Sequence, residues 1–279
     1  IYGRLERLTG WRLSNAVLIA IALTWFFTFV ELMVQGFSLP AMISTFHLTP
    51  LQGSLIPSIN LFGYIAGAIL IGLYSDYRGR RPAFMLTVAL LALGTALTAI
   101  ATNYYELLAF RFIDGVGIGA EISIATVMIA ELSPKNSRGK FQQFTYFLGG
   151  IGLAIGAQMT AMLVSWNADL GWRIAYATMA VTAVVAIFLR RSYVHDTPRW
   201  LVTHGRYEEA LKEIEKMEAK ELKLKGKLQP VPEVPDEELF EKFPYKELFS
   251  SKYVKWLLLA LIFWIFGYWI NYAWLDIGQ

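Results

Sequence analysis

Four ionisable residues stand inside stretches that are otherwise apolar: Glu31 in FVELMVQG, and Arg111, Asp114 and Glu121 in RFIDGVGIGAE. A charge inside a membrane segment is costly and by default functional. Burial disfavours the charged form of a carboxylate, whereas a guanidinium beside it favours that form. An acid next to an arginine, at a place that alternates between wet and dry, would take up and release a proton as its surroundings change. The same residues could instead be static partners between helices. Asp114 is one turn from Arg111, and Glu121 is seven residues past Asp114 on the same face. Proton carrier and fixed partner of Arg111 both remain open for Glu31.

The elements holding these residues follow from composition. Of 279 residues, 56% are apolar and 17% charged, against about a quarter charged in soluble domains. The apolar residues gather into seven runs, Ser14–Gly36, Leu51–Tyr74, Ala83–Ala101, Tyr105–Ala130, Phe141–Val164, Trp172–Leu189 and Tyr253–Trp274. About 20 helical residues cross a bilayer core, and in lipid the backbone must satisfy its own hydrogen bonds. The chain therefore reads as an all-α polytopic membrane protein. The first run follows a charged leader and lacks a small-residue cleavage site, so it is not expected to be a removable signal. Without cysteine there are no disulfides or thiolate metal sites.

Charge sets the expected orientation. Arg4, Arg7 and Arg12 precede the first run, Arg78, Arg80 and Arg81 follow the second, and Lys135, Arg138 and Lys140 follow the fourth. The first-to-second and third-to-fourth connections have neither Lys nor Arg. Positive residues stay on the cytoplasmic side, which puts the N-terminus inside. After the sixth run the chain turns polar from Asp196 to Lys252, with Tyr207, Ala210, Leu211, Ile214 and Met217 at helical spacing and a second amphipathic piece in DEELFEKF. The expected organisation is a six-helix unit over 1–194, a cytoplasmic amphipathic linker over 195–252, solvated and lying against the membrane unit, and a seventh helix over 253–279. Six helices, a long connection and one more helix read as half of a larger arrangement and the start of its second half; the chain also begins with Ile rather than Met.

One connection needs more than orientation to explain it. GLYSDYRGRR, Gly72 to Arg81, holds one acid and three arginines. Positive charge and a turn account for Arg78, Gly79, Arg80 and Arg81, but not for Asp76 or Gly72. The spacing G-x-x-x-D-x-R-G-R-R resembles the signature loop of the major facilitator superfamily. R-x-x-x-G-x-G-x-G at Arg111–Gly119, E-x-x-P-x-x-x-R-G at Glu131–Gly139 and DTPRWLVTHGRYEEAL at Asp196–Leu211 are similar to the sugar-porter branch and its metabolite-symporter and organic-ion relatives.

The resemblance implies the major facilitator fold and transport by alternating access. It implies that Gly72, Asp76, Arg78, Gly79, Arg80 and Arg81, with Glu131, Arg138 and Arg199 as partners, form a cytoplasmic gate. It places an acid at Glu31 beside the fourth-helix arginine in proton-coupled members. The expected activity is proton-coupled symport of a small polar metabolite, sugar or organic acid; the alternatives are a passive facilitator or an organic-ion carrier. Where sugar porters carry a fifth-helix glutamine this chain has Tyr146, and where they carry paired glutamines in the seventh it has Trp264 and Ile265, with Asn271 displaced. Hexose recognition is thereby in doubt. Trp25, Tyr146, Trp264 and Asn271 are the candidate substrate contacts, in an aromatic-rich setting suited to stacking.

No phosphate loop, zinc-binding helix or nucleophile elbow appears, and His47, His195 and His204 lie in separate loops, so neither an enzyme nor a metal or cofactor is expected. The expected partners are a small-molecule substrate, a proton and the lipid bilayer, without nucleic acid, for a monomer in the plasma or cytoplasmic membrane.

Overall fold

The computed structural model describes residues 1–232 and 249–277, with the side chains at 185, 189, 190, 192, 193, 264 and 267–277 outside the described set. The expected amphipathic piece DEELFEKF lies outside the described residues. The chain divides into two compact units, Ile1–Glu233 and Val234–Gln279. In the first run α1 (Tyr2–Glu6), α2 (Asn15–Thr45), α3 (Pro50–Arg78), α4 (Arg80–Ala99), α5 (Tyr104–Leu132), α6 (Arg138–Trp166), α7 (Ala168–Tyr193), α8 (Pro198–Thr203) and α9 (Tyr207–Lys225). The second contains α10 (Val254–Ile277), whose opening stretch Val254–Phe263 is apolar. Among the described residues, α2 to α7 are the six helices long and apolar enough to cross a membrane.

Most helices overrun the apolar runs by a few residues, and two places matter most. α2 continues nine residues past Gly36, to Thr45, and carries Pro40 inside it. Its added turns bury Ser38, Ala41 and Met42, so packing sustains the helix after the apolar run ends. At 31 residues it is about 46 Å long, well beyond the roughly 30 Å of a bilayer core. GLYSDYRGRR, expected as a turn of several residues, is almost wholly helical: α3 ends at Arg78, α4 begins at Arg80, and Gly79 alone makes the bend. Its φ of 116° is one that side chains rarely adopt, and a Cβ there would lie 2.7 Å from Asp196 Oδ1. That oxygen accepts the Arg81 backbone N–H at 2.9 Å, so a carboxylate from the segment after α7 caps α4, whose own N-cap residue has no side chain.

α3 and α5 touch backbone to backbone. A Cβ on Gly63, Gly67, Gly115 or Gly119 would stand 2.0–2.4 Å from a carbonyl oxygen of the facing helix. The paired small residues at four-residue spacing thus do what such spacing does in membrane bundles. Two apolar clusters fill the bundle. Phe84, Ile124, Met128 and Ile129 pack beside Val17 and Ile21. Val30, Val34, Leu107, Trp172 and Tyr176 form the other.

α9 buries Ala210, Ile214 and Met217 of its expected apolar stripe, while Tyr207 is exposed. Part of the cover is the leader: Leu5 and Leu8 pack on Met217, and Tyr2 packs beside Trp200 and Ala210. The linker helix is therefore a docked element, with a solvated outer face.

Candidate functional site

Arg111 is fully buried at the centre of a polar cluster built by four helices. Its Nη1 lies 2.5 Å from Asp114 Oδ2, on the next turn of α5, and 3.3 Å from Glu31 Oε1 on α2. Nη2 donates to Gln35 Oε1, one turn beyond Glu31. From α3, the Asn60 amide donates to the Arg111 carbonyl at 2.8 Å and to Asp114 Oδ2 at 3.1 Å. The glycine contact brings it there, since Gly115 sits against the Asn60 carbonyl. From α7, the Tyr176 ring centroid is 5.1 Å from the guanidinium carbon. Glu31 and Asp114 are as buried as the arginine. The cluster thus holds one cation and two carboxyl groups. Glu31 Oε2, Asp114 Oδ1, Arg111 Nε and the Tyr176 hydroxyl make no hydrogen bond among the described residues.

The other candidates spread outward from this point. Glu121, buried further along α5, shares with Glu31 a small cavity also lined by Leu91 and Thr182. Its volume of about 10 Å³ is about the room one water needs. Trp25 and Tyr146 are adjacent, with ring centroids 4.3 Å apart between α2 and α6. The side chains of Trp264 and Asn271 lie outside the described residues. Gln35, Asn60 and Tyr176 were not among the sequence candidates. Gln35 was open to discovery one turn after Glu31, and Asn60 as an amide in an apolar helix, whereas nothing in the sequence singles out Tyr176.

The charged turn gathers a second network. Arg80 presents a fork to Glu131, Nη2 to Oε1 at 2.7 Å and Nε to Oε2 at 3.0 Å, and its Nη1 meets Asp76 at 2.5 Å and Ser75 Oγ at 3.0 Å. The Asp76 side chain is 54% exposed, unlike the rest of this network. Thr197 Oγ1 donates to Glu131 at 2.6 Å, and Trp200 Nε1 donates to the Asp76 carbonyl at 2.9 Å, tying α8 to the end of α3. Arg138 opens α6, and Arg78 is exposed, its guanidinium over the Tyr77 ring. Gly72 has open space where a Cβ would stand. Arg199, expected beside the turn, pairs with Glu6 of the leader.

The leader arginines have partners that the sequence reading did not foresee. Arg4 and Arg7 both grip Glu218 on α9, with the closest contacts at 2.5 Å, and Arg12 pairs with Glu221. Thr9 Oγ1 donates to Glu221 at 2.7 Å. Burial by itself would raise both carboxyl groups; hydrogen bonds from Arg4 and Arg7 to Glu218, and from Arg12 and Thr9 to Glu221, outweigh it and hold both below the ordinary value of 4.5.

Comparison with known proteins bears on the whole arrangement. Residues 32–272 match the family described as "Sugar (and other) transporter". The niacin transporter NiaP of Acinetobacter baylyi is 25% identical over 99% of this chain and 62% of its own length. The putative metabolite transport protein YyaJ of Bacillus subtilis is 29% identical over 94% of this chain and 58% of its own. The chain thus spans about three-fifths of the length of these curated relatives. Among solved structures, the inward-open xylose transporter XylE from E. coli is similar with a TM-score of 0.64 and 21% identity, over 76% of this chain and 55% of that one.

Proposed function

The chain belongs to the sugar (and other) transporter family, and from that premise we propose that the protein carries a small polar metabolite across a membrane by alternating access, coupled to a proton on Glu31. It is then a carrier and not an enzyme, as its relatives are named. The observation that carries the reading is the charge count around Arg111. One guanidinium faces two carboxyl groups in a fully buried cluster, and an uncompensated buried ion costs several kcal/mol. With the cluster closed, one carboxyl is therefore protonated. Asp114 has donors at 2.5 and 3.1 Å, whereas among the described residues Glu31 has one donor, Arg111 at 3.3 Å, and an oxygen with no bond. The proton belongs on Glu31.

The cycle follows from that assignment. Protonation of Glu31 frees Arg111 from one anion and permits closure around substrate near the midplane. Wetting the cluster from the other side lets Glu31 give up its proton. Glu121, across the shared cavity, is the next group on the way. The network of Asp76, Arg80 and Glu131, with Arg138 at the start of α6 as its expected further member, is the gate at the cytoplasmic face, where its pairs are made in one state and solvated in the other. The distribution of arginines supports a cytoplasmic position for this face and the N-terminus. Trp25 and Tyr146, whose rings are tilted at 49° to each other, offer an aromatic surface to a sugar or to an aromatic or aliphatic acid, consistent with relatives named for niacin and xylose. A passive facilitator is the second reading: Asp114, Gln35 and Asn60 already fix this arrangement, which leaves Glu31 room to be a static partner.

Uptake by the full-length protein in liposomes, inside alkaline, separates the two. Radiolabelled nicotinate, xylose, polyols and aliphatic acids serve as probes, with Glu31→Gln beside the wild type. Gradient-driven accumulation lost in the variant, with exchange at equal pH retained, is the expected result. Equal equilibration by both proteins, whatever the gradient, would refute proton coupling.

A further inference from the structure

Tyr176 stands outside everything the proposed cycle uses, yet it is one of the largest fully buried side chains and belongs to the Arg111 cluster. Its ring faces the guanidinium at 5.1 Å, inside the roughly 6 Å reach of a cation–π contact, which strengthens when both groups are desolvated. Its hydroxyl makes no hydrogen bond among the described residues. A buried hydroxyl without a partner destabilises, so the polar end of the side chain contributes nothing to holding the cluster. The ring also meets Trp172 in an edge contact at 6.4 Å, and Trp172 is in turn tied to Thr45 at the far end of α2.

We propose that Tyr176 is a positioning residue for Arg111, and that its ring face, not its hydroxyl, sets where the guanidinium stands. The proposal deepens the proton-coupling reading and rests on it for its consequence. Among the described residues, the hydrogen-bond and ion-pair partners of the guanidinium in this cluster are oxygens of Glu31, Asp114 and Gln35. Attraction to Glu31 changes with the proton it carries. A ring face carries no proton and attracts the cation equally in both conditions. It therefore keeps Arg111 within reach of Glu31 when the carboxyl is neutral, so that the pair can re-form once the proton leaves. Substitutions that keep a six-membered ring keep this support, and aliphatic ones remove it.

The test has a part that needs no substrate. The purified full-length protein is melted as wild type, Tyr176→Leu, Arg111→Lys and the double variant, with Tyr176→Met as a second aliphatic replacement and Tyr176→Phe as the conservative one. A lysine ammonium lacks the planar face that lies on the ring. The double variant should therefore melt about 2 °C or more above the sum of the two single losses. Tyr176→Phe should melt at or slightly above the wild-type temperature. Additive losses, or a Phe variant as unstable as the Leu variant, overturn the proposal. In liposomes, with nicotinate and xylose as probes, Tyr176→Leu should lose gradient-driven accumulation about tenfold while exchange at equal pH stays within about threefold. Proportional loss of both would mark a merely structural role and also overturn it. A wild type that equilibrates either probe without accumulating it counts against proton coupling, while the melting cycle still decides whether the ring holds Arg111.

Discussion

Glu218 on α9 receives four N–H bonds of 2.5–2.9 Å from two arginines of the leader, Arg4 as a fork across both oxygens and Arg7 onto one. Glu218→Gln keeps one carbonyl oxygen, removes the charge, and turns an NH2 group toward donors of Arg4. A hydrogen bond to a charged group contributes about 1.5–3 kcal/mol, and a neutral one about 1. Four weakened bonds would suggest a larger sum, but the Arg4 side chain is 29% exposed, and exposed pairs are worth little. About 2–3 kcal/mol of leader docking is the expected loss, because Leu5 and Leu8 remain packed on Met217. At 1.4 kcal/mol per factor of ten, amide protection over residues 1–13 should fall about 30- to 150-fold. Hydrogen exchange read by mass spectrometry on leader peptides measures this, with α5 peptides as the internal reference. A leader whose exchange stays within threefold of wild type would refute the docking energetics. So would a rise shared equally by α5, which would mean that the leader opens only with the whole bundle.

Acid should act on the same clasp: both carboxyl groups are held below 4.5, so their stabilisation is complete above that pH and is lost as pH falls through the lowered values, with leader exchange rising only below about pH 4.5. Gly67→Ala puts a Cβ 2.0 Å from the Val116 carbonyl and should abolish folded yield in size-exclusion profiles, whereas Gly36→Ala meets nothing within 4 Å and should be neutral or stabilising by up to about 1 kcal/mol. Asp196→Ala removes the cap of α4 and should cost about 1 kcal/mol in a denaturation assay, with Asp196→Asn retaining most of it. Asn60→Leu leaves the Arg111 carbonyl and Asp114 without their amide donor and should destabilise by about 1–3 kcal/mol, visible as a lower melting temperature.

The sequence by itself determined the helices that cross the membrane, the residues that could carry charge within them, and the charged turn. Apolar run length decides whether a segment can sit in lipid, and that property belongs to each segment alone. The Arg111–Asp114 contact was open to inference for the same reason, since three residues on one helix meet wherever that helix goes. Run length said nothing about where α2 ends, because hydropathy marks how deep a residue can lie, whereas burial of Ala41 and Met42 keeps the helix going. Tertiary structure alone decided that Asn60, Gln35 and Tyr176 surround Arg111, that Arg199 meets Glu6, and that the leader clasps α9. The Asn60 and Glu31 bonds to residue 111 join positions 51 and 80 apart, and Arg4 reaches 214 residues to Glu218. Periodicity records which face a residue shares with its neighbours on one helix. Which two faces meet depends on how closely backbones can approach, and here that was set by glycines on α3 and α5.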